Sequence, residues 1–205
     1  MRLLLVHGMG RTPLSLGRLT RFLRQSGHSP ERPGYVAAVE SFARIQTRVR
    51  SRLEALARAG EPYAVIGHSL GGLALRAALS GLEPAPLHLI LLGTPNQPPR
   101  LARRLHRAWP YRLACGESGQ LLARPEFFAQ LPFPEVPYTI IAGCAGPCGR
   151  RSHFGDDAND WLVGVDETKI TPADRPMIFP VGHTFMMNDC RVQAAIQQAL
   201  ERALD

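Results

Sequence analysis

Short apolar runs alternate along the chain with stretches whose apolar positions recur every three or four residues. Such an alternation predicts a mostly parallel sheet covered by helices. Arg2–Val6 (RLLLV), Tyr63–Ile66 and Leu87–Leu92 (LHLILL) are continuous apolar runs, the signature of strands buried on both faces. Tyr35–Val39, Tyr138–Ala142 and Met177–Val181 supply three more candidate strands, the first of them the weakest in pattern. Between these runs, Pro13–Ser26 reads as a helix with Thr12 before it, proline in its first turn and Gly27 as its stop. Phe42, Ile45, Val49, Leu53 and Leu56 form one stripe of an amphipathic helix that opens at Ser41 and stops at Gly60. Further helices are expected after position 69 as far as Ser80, over Pro98–Trp109 and Gly119–Leu131, and over Val192–Leu204. The stretch from Gly143 to Pro176, rich in Gly, Pro and Asp, reads as one long loop, a length that marks either function or an unread element. One domain over residues 1–205 is expected, with room for a small helical cap at 98–136.

Composition changes this picture little. An apolar share of 45% with 20% charged residues belongs to an ordinary globular chain. No apolar run reaches the roughly 20 residues of a membrane span. The four apolar residues after Arg2 are too few for a secretory leader, so a cytoplasmic location and reduced cysteines at 115, 144, 148 and 190 are expected. Cys144 and Cys148, with His153 beyond, lack the paired spacing of zinc modules, and ordinary loop thiols are the simpler reading. The net charge of +7 is uneven, since residues 1–112 carry 17 arginines against 5 glutamates. Two arginine groups stand out, Arg44/Arg48/Arg50/Arg52 and Arg100/Arg103/Arg104/Arg107, and at helical spacing both read first as solvated faces. Without a nucleic-acid-binding motif beside them, nucleic acid is a poor expectation. Transient contact with an anionic membrane surface is a better one.

The chemistry concentrates in Gly67-His68-Ser69-Leu70-Gly71, set between the apolar run ending at Ile66 and a helix-forming run from Leu70. A hydroxyl needs a base and a fixed orientation to act as a nucleophile. A sharp strand-to-helix turn supplies the orientation, and the positions two before and two after must be tiny because backbone passes close by. Ser69 is therefore the candidate nucleophile. Negative charge developing on a substrate carbonyl needs donors already in place. The backbone N–H of Leu70 is one candidate, and that of Met9, in His7-Gly8-Met9-Gly10 after the first strand, is the other. His183, in Gly182-His183-Thr184 after the last candidate strand, is the expected base. His88 reads as a core or face position, His106 as solvated, and His153 has a weaker claim. The acid lies among Asp156, Asp157, Asp160, Asp166, Glu167 and Asp174; Asp160 is the choice, with Asp156 and Asp157 kept open.

The segments HGMG and GHSLGG, together with LLGTPNQ at 91–97, resemble the α/β-hydrolase superfamily, most closely small bacterial lipases and esterases and hydrolases related to GPI inositol-deacylases. The resemblance touches nearly the whole chain. It implies an α/β-hydrolase fold, a sheet of about six mostly parallel strands with helices on both faces. It also implies carboxylic-ester hydrolysis through an acyl-enzyme, a small-molecule or lipid ester as substrate, and no cofactor. In those families the acid often stands in Asp-Gly-x-Val before a late Gly-His. Asp160 matches that place, but Trp161 stands where the family has glycine. Trp109, Tyr111, Phe127, Phe128 and Phe133 could line an acyl pocket, although packing against the sheet is the plainer expectation; Phe185, Met186 and Met187 could floor the site or simply pack inward. A hydrolase fold that has lost catalysis and binds a lipid or a protein is the alternative.

Overall fold

The computed structural model describes residues 1–150 and 152–204. Six strands form one sheet: β1 (Arg2–Val6), β2 (Ser29–Glu31), β3 (Tyr63–His68), β4 (Leu89–Leu92), β5 (Tyr138–Gly143) and β6 (Met177–Phe179). Their spatial order is β2-β1-β3-β4-β5-β6, and every neighbouring pair is parallel. A parallel sheet needs covering on both faces, and the strand sequences divide their side chains accordingly. Leu4 and Val6 of β1, Val65 of β3 and Leu89 and Leu91 of β4 pack on one face against α2 (Phe42–Arg58) and α3 (Leu70–Leu79). Leu3 and Leu5, Ala64 and Ile66, and Ile90 and Leu92 face the other way, onto α1 (Gly17–Gln25) and α7 (Cys190–Arg202). Continuous apolar strands are thus what a two-sided core demands.

The helices form where the periodicity predicts them. The buried stripe of α2 is Phe42, Ile45, Val49, Leu53 and Leu56, and the Ser41 side chain caps its first turn by accepting the Arg44 N–H. Between β4 and β5 come three short helices, α4 (Arg100–Leu105), α5 (Trp109–Leu122) and α6 (Pro125–Ala129). The chain breaks inside α5 at Gly116, whose φ of 56° lets it press against the backbone of Ala37 and Ala38.

One expected strand is absent. Tyr35–Val39 forms turns, and the edge strand is Ser29–Glu31, centred on Pro30. The apolar content of 35–39 has another use. Tyr35 turns inward, stacks on the His7 ring at 4.0 Å and donates its hydroxyl proton to the His7 carbonyl. A three-residue strand containing proline offers no pattern to read.

The order of strands creates the site's location. From β1 the chain moves outward to β2 and then crosses back to β3 on the far side of β1. At such a reversal the loops leaving the carboxyl ends of the two neighbouring strands diverge and open a crevice. His7–Gly10 follows β1 and Ser69 follows β3, so both stand at that crevice.

Candidate active site

Ser69 makes the turn between β3 and α3 alone, with φ 53° and ψ −124°. Among the described residues only Ser69 and Trp161 combine a side chain with positive φ. Such backbone is costly for an L-residue and persists only where its surroundings enforce it. Here enforcement comes from close backbone contact. A methyl group on Gly67 would lie 2.4 Å from the Gly72 Cα, and one on Gly71 would lie 2.2 Å from the Val6 carbonyl oxygen. The Ser69 N–H donates to the Leu92 carbonyl at 2.9 Å, tying the bend to the end of β4.

Leu70 opens α3, where an N–H has no partner within the helix. The segment His7–Gly10 runs directly against the turn: a methyl group on Gly8 would lie 2.9 Å from both Ser69 Cβ and His68 Nδ1. Met9 is half-buried in this segment. Tyr35, through its ring stack and its bond to His7, holds the segment from behind, a support with no signal in the local sequence.

His183 follows β6 and is gripped on both sides of its peptide. Its N–H donates to the Asp160 carbonyl at 2.9 Å, and its own carbonyl accepts from His68 Nε2 at 3.0 Å. Its ring Nδ1–H donates to Asp160 Oδ2 at 2.6 Å, in a pair where Asp160 is 1% exposed and His183 6%. Gly93, one residue beyond the Leu92 that holds Ser69, lies against the same ring, and a methyl group there would sit 3.1 Å from His183 Nδ1. The turn carrying Ser69, the end of β4 and the His183 loop are thus adjoining layers. Burial, with His183 as a neighbour, keeps the His68 imidazole well below the usual range, so His68 acts as a neutral donor.

The other carboxyl groups from the sequence are spoken for elsewhere. Asp156 is exposed. Asp157 and Asp166 both pair with Arg100, at 2.9 and 2.6 Å. Asp174 accepts from Tyr138 Oη and from the N–H groups of Ile170 and Thr171, each at 2.8 Å. Glu167 is buried, and burial raises its pKa; it accepts the Arg100 N–H and the Gly164 N–H, both at 2.8 Å. Of the remaining histidines, His88 contacts Thr139 Oγ1, His106 contacts the Arg103 carbonyl, and His153 accepts from Arg104, so none approaches Asp160.

The long loop is not structureless. Asp160 Oδ1 accepts the N–H groups of Leu162 and Val163 at 3.0 and 2.7 Å, and the Asp160 N–H donates to the Val163 carbonyl at 3.0 Å. A tight two-residue bend results, closed by a bridge between Asn159 and Gly164. Asn96, in the turn after β4, holds the later part of the loop, donating to the Thr168 carbonyl at 2.6 Å while accepting from buried Arg76 at 2.8 Å. Burial lowers the Arg76 pKa to about 10.

The model of the alpha/beta hydrolase family matches residues 3–203. The chain is an α/β-hydrolase. Solved structures agree on the fold. A mature lipase from Bacillus licheniformis (BlEst2) has a TM-score of 0.74 at 16% identity, over 97% of this chain and 91% of that one. Tomato methylketone synthase I, complexed with 2-tridecanone, scores 0.67 at 14% identity, over 98% of both chains. An esterase from Thermogutta terrifontis scores 0.62 at 16% identity, over 99% of this chain and 90% of that one. Curated protein sequences gave no match.

Among the described residues of this hydrolase no helix is long and apolar enough to cross a membrane. The four cysteines are free thiols. Among the aromatic residues between β4 and β5, Tyr111, Phe127 and Phe128 pack against the core, Phe127 meeting Phe42 edge-on at 5.0 Å, whereas Phe133 is exposed and touches Tyr138 at 6.1 Å. Trp109 is exposed, while Met186 and Met187 are fully buried. Each arginine group is divided in the same way. Arg50 caps the end of α3 through the carbonyls of Ala78, Ser80 and Gly81 and Arg48 pairs with Glu40, while Arg44 and Arg52 stand in solvent. Arg100 pairs with Asp157 and Asp166 and Arg104 meets His153, while Arg103 and Arg107 are exposed.

Proposed function

We propose that this chain hydrolyses carboxylic esters through an acyl-enzyme, with Ser69 as nucleophile, His183 as base and Asp160 as the group that orients it. The observation carrying the reading is the buried 2.6 Å contact between Asp160 and His183 Nδ1, facing the layer that holds the strained Ser69 turn. With Nδ1–H committed to the carboxylate, Nε2 is the free lone pair that accepts a proton from the Ser69 hydroxyl. The serine oxygen then bonds to the ester carbonyl carbon, and the carbonyl π pair moves onto oxygen. The N–H groups of Met9 and Leu70 receive that negative charge. As the tetrahedral centre collapses, the alcohol leaves with the proton returned from His183, and the acyl group stays on Ser69. Water repeats the sequence, giving up one proton to His183 and releasing the acid, which restores the serine. Nothing in these steps calls for a metal or an organic cofactor.

Two of the structural neighbours are named as a lipase and an esterase, and the tomato neighbour holds the long-chain ketone 2-tridecanone. An ester of similar shape is the substrate class proposed here. The test is turnover of p-nitrophenyl esters by the wild type and by Ser69→Ala, with a loss of about 10⁶-fold expected where the three residues act as a unit. A fluorophosphonate should label wild-type Ser69. Turnover unaffected by Ser69→Ala would end the proposal, and an unlabelled, inert wild type would leave a binding module on a hydrolase fold.

A further inference from the structure

Trp161 is the second residue with a side chain at positive φ, at +86°. It occupies the first of the two central positions in the bend between Asp160 and Val163, a position where a two-residue loop with positive φ ordinarily carries glycine. Its N–H is held by Asn159 Oδ1 at 3.0 Å. Core packing does not account for a bulky residue there, because the indole is 60% exposed. Its neighbours share that character: Leu162 is 42% exposed and Phe185 65%. Together with Pro180, Val181 and His183 they line an open cleft of about 570 Å³, a size suited to a small organic ligand. Asp160 and His183 both form part of its wall, which places the cleft beside the proposed base and the carboxylate that orients it. Phe185 is held in place from the opposite side: the Arg11 guanidinium lies over its ring at 5.2 Å and donates to the Thr184 carbonyl.

An exposed aromatic on costly backbone, beside two further exposed apolar side chains and the proposed base with its carboxylate, is not explained by packing within the chain. Strain of this kind persists where function repays it. The geometry points to Trp161, Leu162 and Phe185 as an apolar subsite that binds the hydrocarbon chain of a medium-length ester. The position of Trp161 next to Asp160 sets that chain against His183. This subsite rests on the ester-hydrolase reading only for what happens to the bound ester, since chain binding needs no turnover.

The direct test is a fluorescence titration of sodium decanoate and sodium acetate, each into the Trp109→Phe chain, where Trp161 is the sole indole. Decanoate should shift the emission saturably and acetate should not, because each buried methylene tightens binding by about four-fold. In parallel, the ratio of kcat/KM for p-nitrophenyl decanoate to that for the acetate is measured in wild type, Trp161→Gly and Phe185→Ala. The ratio should fall at least about ten-fold in both variants, somewhat under two methylenes' worth of contact at that rate. Trp161→Gly should also melt higher, by roughly 2 °C, as the backbone strain is released. An emission indifferent to decanoate, an unchanged ratio in both variants, or a lower melting point in Trp161→Gly would each overturn the subsite. A wild type inert toward both esters would instead remove the Ser69 reading, and the titration would still decide the subsite.

Discussion

The two halves of the candidate site are held by different forces. On the nucleophile's side the contacts are glycine backbone in close packing: Gly67 on Gly72, Gly71 on the carbonyls of Val6 and His7, and Gly72 on the Thr94 side chain, with no room for a methyl group at any of them. On the acid's side the contacts are polar side chains bonded to backbone, with Asp160, Asn159 and Glu167 satisfying groups within the 143–176 loop and Asn96 reaching into it from beyond β4. Close packing of glycine tolerates almost no change of shape. A hydrogen-bonded loop tolerates changes of shape but fails when a buried partner is lost. Mutations in the two halves should therefore do damage of different kinds.

The largest separation of the two is expected at Asp160→Asn. An amide retaining the Leu162 and Val163 bonds would present a donor to His183 Nδ1 and favour the wrong tautomer, which should lower kcat by about 10⁴-fold with little change in melting point. Gly71→Ala should show the reverse. Its methyl would meet backbone rather than a mobile side chain, so a loss of about 3 kcal/mol, the upper end for overpacking, should appear in denaturant unfolding. If Gly71→Ala kept wild-type stability, the contrast would collapse.

Smaller effects sharpen the contrast within the acid half. Glu167→Gln keeps one acceptor for two backbone donors and should cost about 1–2 kcal/mol. Faster amide exchange should be confined to residues 159–168; equal loss of protection at 67–72 would show that the halves are not separate. The smallest effect is on pH. Burial holds His68 and His7 below the usual imidazole range, so the unfolded chain takes up protons that the folded chain refuses. Their contribution is complete above about pH 6.5 and falls away as pH drops below it. Thermal unfolding between pH 5 and 7.5 should show this slope, and His68→Gln, which keeps a donor toward the His183 carbonyl but cannot titrate, should flatten it.

The same division governs what the sequence makes legible. The turn around Ser69 and the His7–Gly10 segment are readable because each needs its small residues within a few positions, and the strands are readable because a two-sided core leaves continuous apolar runs. The partner of His183 is a different matter. Asp156, Asp157 and Asp160 lie within five positions, and only the three-dimensional course of the loop brings Asp160 to the ring while Asp157 turns to Arg100. Trp161 in place of glycine looks like a mismatch in the sequence, whereas the structure keeps the backbone a glycine would take and hangs an indole on it. Tyr35–Val39 misleads for a related reason: its apolar residues serve His7 and α5, a tertiary use that no local periodicity announces.

The outermost strands carry a consequence for how this protein avoids sticking to itself. In β2 the Ser29 N–H points inward to the Met1 carbonyl, so the nitrogen of Pro30 falls on the outer rim, where it has no hydrogen to offer a stray strand. The opposite rim, β6, is also only three residues long and is followed at once by Pro180. A sheet built from distant segments assembles slowly and leaves its flanks uncovered in the meantime. Blunt rims at both ends deprive nascent copies of a template on which to aggregate.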